Sequence, residues 1–290
     1  MRKKIAVTLA VTLACPALLA VSLSAGNRMI ATTRVTYTSP RLPASFNGFT
    51  IAQVSDLHNK VFGEKQKRLI QLIRDAEPDL IAVTGDIIDK RKPDIDAAMS
   101  FIDAAVEIAP VYFVYGNHEL QSGICSELTD RLLQSGVIIL DNSAHQLDRD
   151  GGVIDLLGIS YYPGVDAMPA RIHSSTESID KQLQILAAET HSGFRLLLAH
   201  RPELIGLYEK NGIDLVLAGH AHGGQIRLPW VGGLYSPDQG FLPQYTAGTY
   251  QKGKCTMVVS RGLGDSIFPV RVFNRPELVV ITLSADLTAK

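Results

Sequence analysis

Cysteine is scarce in this 290-residue chain, and the little there is excludes two architectures. Cys15, Cys125 and Cys255 have no metal-type spacing and are too sparse for a disulfide framework. Cys15 lies in an apolar N-terminal run, so the one conceivable bridge joins Cys125 to Cys255, and only counting supports it. Both read as small core residues. An excess of either charge is also missing, with 28 Lys and Arg against 29 Asp and Glu and a formal net charge of −1. That balance gives no hint of a nucleic-acid partner, which usually shows as a basic excess. It leaves room for a small phosphate substrate, because bound metals can supply positive charge locally. Internal repeats and sustained heptads are absent as well, which removes solenoids and coiled coils. What is present is an ordinary globular composition, 46% hydrophobic, long enough for one large core.

The first 26 residues read as a signal anchor or a signal peptide. Arg2, Lys3 and Lys4 precede an uncharged apolar run over residues 5–25. A spanning helix needs about 20 residues, and a signal-peptide core about 7–15. The length favours an anchor, while Ser22, Ser24 and Ala25 keep cleavage open. The positive end should stay in the cytoplasm, which places the remainder outside it. The expected location is therefore the cell membrane with an external domain, or secretion if the segment is cleaved.

Residues 27–48 look like a juxtamembrane lead, in which the alternation over 33–38 suggests an edge strand. Residues 49–290 then read as one α/β domain. Strands are expected at 49–54, 79–84, 111–115, 137–140, 153–159, 195–199, 213–218, 256–260 and 278–283. Helices are expected at 64–77, 94–107, 126–134, 179–190 and 202–210, from apolar spacing and from stops such as Pro78 and Gly136. The alternation in the first half indicates a layered α/β domain, and the strand-rich second half indicates two sheets face to face between helices. Residues 226–250 break the rhythm. They carry Trp230, Phe241, Tyr245 and Tyr250 among prolines and glycines, and read as a long irregular loop that shapes the substrate site.

Where the apolar runs end, Asp, His and Asn cluster: Asp56-Leu57-His58, Gly85-Asp86, Gly116-Asn117-His118-Glu119, His200 and Gly219-His220-Ala221-His222. Side chains at the ends of neighbouring strands converge on one sheet edge. Asp-x-His and His-x-His put both members on one side of an extended chain, because β side chains repeat every two residues. A carboxylate such as Asp86 can bridge two cations through its two oxygens. Paired cations are a clamp for phosphoryl displacement, and a mixed His, Asp and Asn set suits Mn, Fe or Zn better than Mg or Ca. Each short motif alone is weak. Their order and their placement at strand ends are what carry weight. His145, His173 and His191 fall in loops or polar stretches and read as surface residues.

This combination resembles the calcineurin-like metallophosphoesterase superfamily over most of the chain after residue 48. With Gly223-Gly224-Gln225 following the last histidine and an N-terminal anchor or signal, it is similar to the bacterial membrane-associated or exported phosphodiesterase branch, which includes the UDP-2,3-diacylglucosamine pyrophosphatases. The resemblance implies a four-layer α/β/β/α sandwich of two mixed sheets flanked by helices. It implies Asp56, His58 and His222 on one divalent metal, Asn117, His200 and His220 on a second, and Asp86 between them. Mn is the first expectation, with Fe or Zn as alternatives. A metal-bridging hydroxide would attack phosphorus, and His118, oriented by Asp89, would serve the leaving oxygen. Glu119 would orient neighbouring groups. The phosphoprotein phosphatases continue Gly-Asp to an Asp-Arg pair, whereas this chain has Asp89-Lys90 with Arg91 one place late. That departure favours a phosphodiester or pyrophosphate over a monoester, on a lipid-linked or membrane-proximal substrate, with residues 5–25 as the membrane contact and a monomer as the expected state. The rival readings are a soluble exported phosphomonoesterase or nucleotide hydrolase, and a non-catalytic scaffold on the same fold. The complete ligand set and His118 speak against the scaffold.

Overall fold

A computed structural model of the chain describes residues 26–161, 176–265 and 270–286. The expected anchor over 5–25 and His173 lie outside the described residues. Among the described residues no helix is long and apolar enough to cross a membrane.

Two six-stranded sheets form the frame. The first holds β1 (Ala31–Ser39), β2 (Thr50–Val54), β3 (Leu80–Val83), β4 (Val111–Phe113), β5 (Ile138–Ile139) and β16 (Glu277–Ala285), in the order β1-β16-β2-β3-β4-β5. The second holds β6 (Ser143–Arg149), β7 (Gly152–Gly158), β8 (Arg195–Leu198), β9 (Leu215–Ala218), β14 (Gly248–Lys252) and β15 (Cys255–Val259), in the order β14-β15-β9-β8-β7-β6. In each sheet a run of parallel strands, β2 to β5 and β15-β9-β8-β7, carries antiparallel neighbours. Such strands are covered on both faces, which is why they read as near-continuous apolar runs.

The covering layers follow from the helices. On the first sheet lie α1 (Lys67–Arg74), α2 (Ile95–Ala105) and α4 (Cys125–Gln134), which bury Leu69, Ile73, Phe101, Ile102, Leu128 and Leu132 against β2, β3 and β4. A short helix, α3 (Asn117–Gln121), comes directly after β4. On the second sheet lie α5 (Thr176–Glu189) and α6 (Ile205–Lys210), which bury Leu183, Leu186, Ile205 and Tyr208. Between the sheets Ile51, Leu80, Ala82 and Ile281 meet Leu156, Leu196, Leu198, Leu215 and Val258. The result is the expected α/β/β/α sandwich of two mixed sheets.

Several local expectations are revised. The helix expected over 64–77 reduces to α1, because Lys65 and Gln66 adopt left-handed backbone (φ 47° and 62°). The Gln66 amide there is occupied in bonding the Phe62 N–H and the Lys60 carbonyl. β6 was not expected. It is a polar, half-exposed edge strand whose hairpin partner β7 supplies the apolar signal. Residues 226–250 are not one irregular loop but two small hairpins, β10 (Arg227–Leu228) with β11 (Gly232–Gly233) and β12 (Tyr235–Ser236) with β13 (Gly240–Phe241), followed by the start of β14. Cys125 and Cys255 are free thiols. His145 and His191 are exposed, as expected.

The packing between the sheets sets a stability expectation. Leu196 is fully buried there, so Leu196→Ala should cost about 2–5 kcal/mol by transfer and cavity effects, read as a lower urea midpoint. Leu133 is exposed on α4, and Leu133→Ala should shift stability by no more than about 0.5 kcal/mol.

Candidate dimetal active site

The parallel strands of both sheets end on one edge, and each end contributes to a single cluster. After β2 come Asp56 and His58, after β3 Asp86, and after β4 Asn117 and His118. After β8 comes His200, and after β9 come His220 and His222. This is the rule for open α/β sheets, in which the carboxyl ends of the strands form the crevice. Asp56, His58, Asp86, Asn117, His200, His220 and His222 are all buried, and His118 is partly exposed.

The cluster has two halves that share one carboxylate. Donor atoms of Asp56, His58, Asp86 and His222 lie within 4.8 Å of one another, as do those of Asp86, His200 and His220. Each half therefore draws on both sheets. Asp86 Oδ2 stands 3.2 Å from His200 Nε2 and 3.7 Å from His58 Nε2, while its Oδ1 accepts the His118 N–H at 2.8 Å. Asn117 sits at the start of α3, and its Oδ1 is buried without a hydrogen-bond partner.

Three observations fit divalent cations. Two pairs of ring nitrogens face each other at 3.1 Å, His58 Nε2 with His222 Nε2 and His200 Nε2 with His220 Nδ1. Imidazole nitrogens brought this close in a buried site are placed to share a divalent cation once they are deprotonated. The orphaned Asn117 oxygen would otherwise carry a desolvation cost of about 1–3 kcal/mol. The donor set, imidazole and carboxylate with one amide oxygen, is that of borderline divalent ions.

The remaining ring nitrogens are held by fixed partners. His200 Nδ1 donates to the Thr84 carbonyl at 2.6 Å, which leaves Nε2 facing Asp86. His220 Nε2 lies 3.2 Å from Asp238 Oδ2, which leaves Nδ1 facing His200. Carboxylate or carbonyl support behind a ligating imidazole fixes tautomer and ring orientation. Asp238 also accepts from the Tyr161 hydroxyl, and Tyr161 lies edge-on to His220 with ring centroids 5.3 Å apart. Arg271, fully enclosed, stands 3.4 Å from His222 Nδ1 and is anchored on the Gly264 and Arg261 carbonyls.

Charge is distributed unevenly over the site. Burial pushes the Asp86 carboxyl up, but His200, His118 and His58 together pull it well below its ordinary value. Burial opposes charge on His200, yet Asp86 and Asp56 raise it to about 10. Burial lowers His58 to about 3, and burial together with His58 and Arg271 lowers His222 well below its usual value. The two acids thus concentrate positive charge near Asp86 and leave His58 and His222 as neutral rings with free lone pairs.

The backbone is unusual where the ligands sit. Asp56, His58, Asp86, His220 and His222 all have positive φ, between 45° and 67°. Left-handed backbone at non-glycine residues costs about 1–3 kcal/mol each and persists only where the surroundings over-determine it. Those surroundings are identifiable. Buried Glu119 takes the N–H groups of Asp86, Ile88 and Gly116 on its two oxygens, tying the β3 loop to the β4 loop. Asp56 accepts the His220 N–H from the other sheet at 3.0 Å. Gly116 and Gly219 lie so close to Asp86 and to Ser55 and Asp56 that a Cβ at either would collide with them.

His118 closes the open side. Its ring stands edge-on to His58, with centroids 4.4 Å apart. Asp89 was expected to orient it, but the Asp89 carboxylate lies 3.7 Å from Nδ1, beyond hydrogen-bond range, and is taken by the Arg91 guanidinium and N–H. The Lys90 N–H donates to Nδ1 instead, at 3.1 Å. A neutral ring that accepts at Nδ1 carries its proton on Nε2.

Sequence reasoning missed Asp238, Arg271, Asn274 and Gln53. Asn274 holds the His222 carbonyl, and Gln53 spans the sheets from β2 to the Ala218 carbonyl. One signal pointed to part of this. Ser260-Arg261-Gly262-Leu263-Gly264 also ends an apolar strand, β15, beside β9. Its backbone bonds the Ser55 and Asp56 carbonyls.

Comparisons with known proteins agree with this geometry. The calcineurin-like phosphoesterase family matches residues 49–224. The uncharacterized metallophosphoesterase YkuE of Bacillus subtilis is 32% identical, covering 89% of this chain and 86% of its own. The phosphodiesterase YaeI of Escherichia coli is 27% identical over 81% of this chain and 82% of its own. A transmembrane protein with metallophosphoesterase domain from Danio rerio is 27% identical over 84% of this chain and 55% of its own. Among solved structures, TT1561 of Thermus thermophilus superposes with a TM-score of 0.51 at 14% identity, over 74% of this chain and 90% of its own, which speaks for the fold. The chain belongs to the calcineurin-like phosphoesterase family. It is a phosphoric ester hydrolase whose Asp and His cluster is suited to a pair of divalent metal ions.

The carboxylate behind His220 carries a prediction. Asp238→Asn should weaken divalent-metal binding by about 10–100-fold, as loss of an outer ligand-orienting partner does. Competition with a chromophoric chelator measures it, and wild-type affinity would show that Asp238 does not support the site.

Proposed function

We propose that the protein hydrolyses a phosphodiester or pyrophosphate bond with two divalent ions held between its sheets. Asp56, His58 and His222 would hold one ion, Asn117, His200 and His220 the other, and Asp86 would lie between them. Mn suits this donor set best, with Fe or Zn as alternatives. When bound, the ions supply Lewis-acid charge for phosphoryl oxygens and make water acidic enough to attack at neutral pH. The observation that carries the reading is that one carboxylate, Asp86, belongs to both donor groups while His118 stands just outside them.

The chain's own residues supply the rest. Asp86 accepts the backbone N–H of His118, which ties the start of α3 to the carboxylate. His118, whose proton sits on Nε2 because Nδ1 accepts the Lys90 N–H, would donate a hydrogen bond from Nε2 to the departing oxygen and stabilise its developing charge. Asp89 acts one step further out, holding Arg91 and the loop that presents the Lys90 N–H. The Lys90 side chain donates to Gln121 and Arg91 pairs with Asp89. Those two cations are therefore occupied elsewhere than on a monoester dianion, which favours a diester or pyrophosphate. The relative named as a phosphodiesterase supports the same choice.

For location, residues 5–25 would anchor the chain with the site outside the cytoplasm, because Arg2, Lys3 and Lys4 precede the apolar run. The transmembrane relative supports attachment to a membrane. A lipid-linked or membrane-proximal phosphate ester is then the substrate within reach.

Purified protein loaded with Mn should hydrolyse bis(p-nitrophenyl) phosphate faster than p-nitrophenyl phosphate and lose activity in EDTA. His118→Ala should lower kcat by about 10²–10³, the usual cost of losing a positioned hydrogen-bond donor to a developing oxyanion. Asp86→Ala should abolish turnover together with metal binding. Wild-type rates in either variant would sink the mechanism.

A further inference from the structure

Large apolar side chains stand exposed at one rim beside the site. Trp230 is fully exposed, Phe241 is 84% and Phe273 is 73% exposed, and Leu242 and Val231 project with them. They share a continuous scaffold. Arg227 N–H bonds the Val272 carbonyl, Leu234 N–H bonds the Ile226 carbonyl, and Leu242 N–H bonds the Leu234 carbonyl. The scaffold begins directly after His222, and Asn274 fastens it to the His222 and Gln225 carbonyls. The rim is therefore rigidly joined to the metal-binding edge.

Turn geometry holds these side chains outward. Trp230, Leu242 and Phe273 have φ of 65°, 53° and 50°. Glycine or asparagine is the ordinary occupant of such positions, and a bulky apolar residue there is a genuine outlier. Soluble surfaces do not usually gather exposed aromatic and aliphatic tips into one patch unless something covers it.

The chain itself indicates what covers it. The apolar run over residues 5–25 meets the described fold at Gly26. Asn27 accepts the Arg271 N–H at 3.0 Å, and the Met29 carbonyl accepts from Arg275 at 3.1 Å. The apolar segment thus joins the fold within a few residues of Phe273. At this junction lies a cleft of about 580 Å³, lined by Met29 and Leu72 together with Arg28, Lys67, Arg68 and Arg275. Aromatic tips beside cations are the pattern of a surface seated at a bilayer's headgroup boundary, where the cations meet anionic lipids.

We propose that the rim formed by Trp230, Val231, Phe241, Leu242 and Phe273 is a membrane-docking surface that dips into a lipid bilayer with anionic headgroups. It holds the strand-end edge of the sheets toward the membrane. This rests on the reading of residues 5–25 as the membrane-attached end, but not on catalysis. A second copy of the chain is the rival occupant. Separate turn apices, rather than one flat face, and the junction with the apolar segment favour the bilayer.

Trp230 is the only tryptophan of the chain, so its fluorescence reports on this rim alone. The full-length protein would be reconstituted in phosphatidylglycerol–phosphatidylcholine vesicles with and without brominated acyl chains. The expected result is a blue-shifted emission, quenched by about half or more by the brominated lipid, as for an indole buried at the acyl boundary. Emission that stays fully open to acrylamide and unaffected by bromine in vesicle-bound protein would overturn the proposal. So would shielding that depends on protein concentration without bromine quenching, which is the signature of a second copy. Phe273→Asp should reduce the quenching at least twofold. The assay reads no turnover. A protein inactive on the soluble diester but quenched by brominated lipid would count against the hydrolytic mechanism alone, and an active but unquenched one against the docking surface alone.

Discussion

The site depends on one buried carboxylate lying between two sheets. Asp86 is nearly inaccessible and stands between His58 on its own sheet and His200 on the other. A lone carboxylate buried this deeply would be strongly disfavoured. Here it is held by the His118 N–H and by imidazoles from both sheets, which outweigh the burial and keep it ionised. The same crowding makes the position exacting. The Asp86 backbone is left-handed, the Asp86 and Gly116 N–H groups share one Glu119 carboxylate, and Gly116 has no room for a side chain. Remove the packing between the sheets and the first donor group loses His222 while the second is parted from Asp86.

Cross-sheet hydrogen bonds keep that packing in register at the edge where it matters. Gln53 reaches from β2 to the Ala218 carbonyl, His200 reaches to the Thr84 carbonyl, and the His220 N–H reaches to Asp56. Each is a bond between a strand end of one sheet and a strand end of the other. Apolar contacts deeper in the sandwich supply most of the driving force, since they are numerous and non-directional. The polar bonds add direction, and direction is what a ligand set needs. The C-terminal stretch serves the same end. Arg271 and Asn274 fix the loop of His222 and join the metal edge to the exposed aromatic rim.

Much of this was legible in the sequence. The apolar runs of β3, β8 and β9 announced buried parallel strands, and the polar residues at their ends announced a crevice. Spacing alone paired Asp56 with His58, which the structure keeps in one donor group, and His220 with His222, which it divides between the two groups that share Asp86. The failures have physical causes. β6 alternates weakly because it is a polar edge strand. Gln66 interrupts the expected helix by a local side-chain bond that composition does not reveal. The resemblance implied Asp89 as the partner of His118, yet the turn gives its carboxylate to Arg91 and offers the Lys90 N–H instead. Asp238 carried no signal, since it lies in a turn between two-residue strands.

Donor types and their order along the chain are local properties, so the resemblance to phosphoester hydrolases could be read before any fold was known. The sequence by itself also determined that two layers of strands would meet, because apolar period and run length are local as well. Only the tertiary structure decided how the donors divide into two groups about Asp86, which ring nitrogen each histidine turns inward, and which groups stand behind them. Those facts depend on atoms brought together from distant positions, as His58 and His222, 164 residues apart, are. No local pattern encodes that proximity. It follows from the registration of two sheets packed face to face.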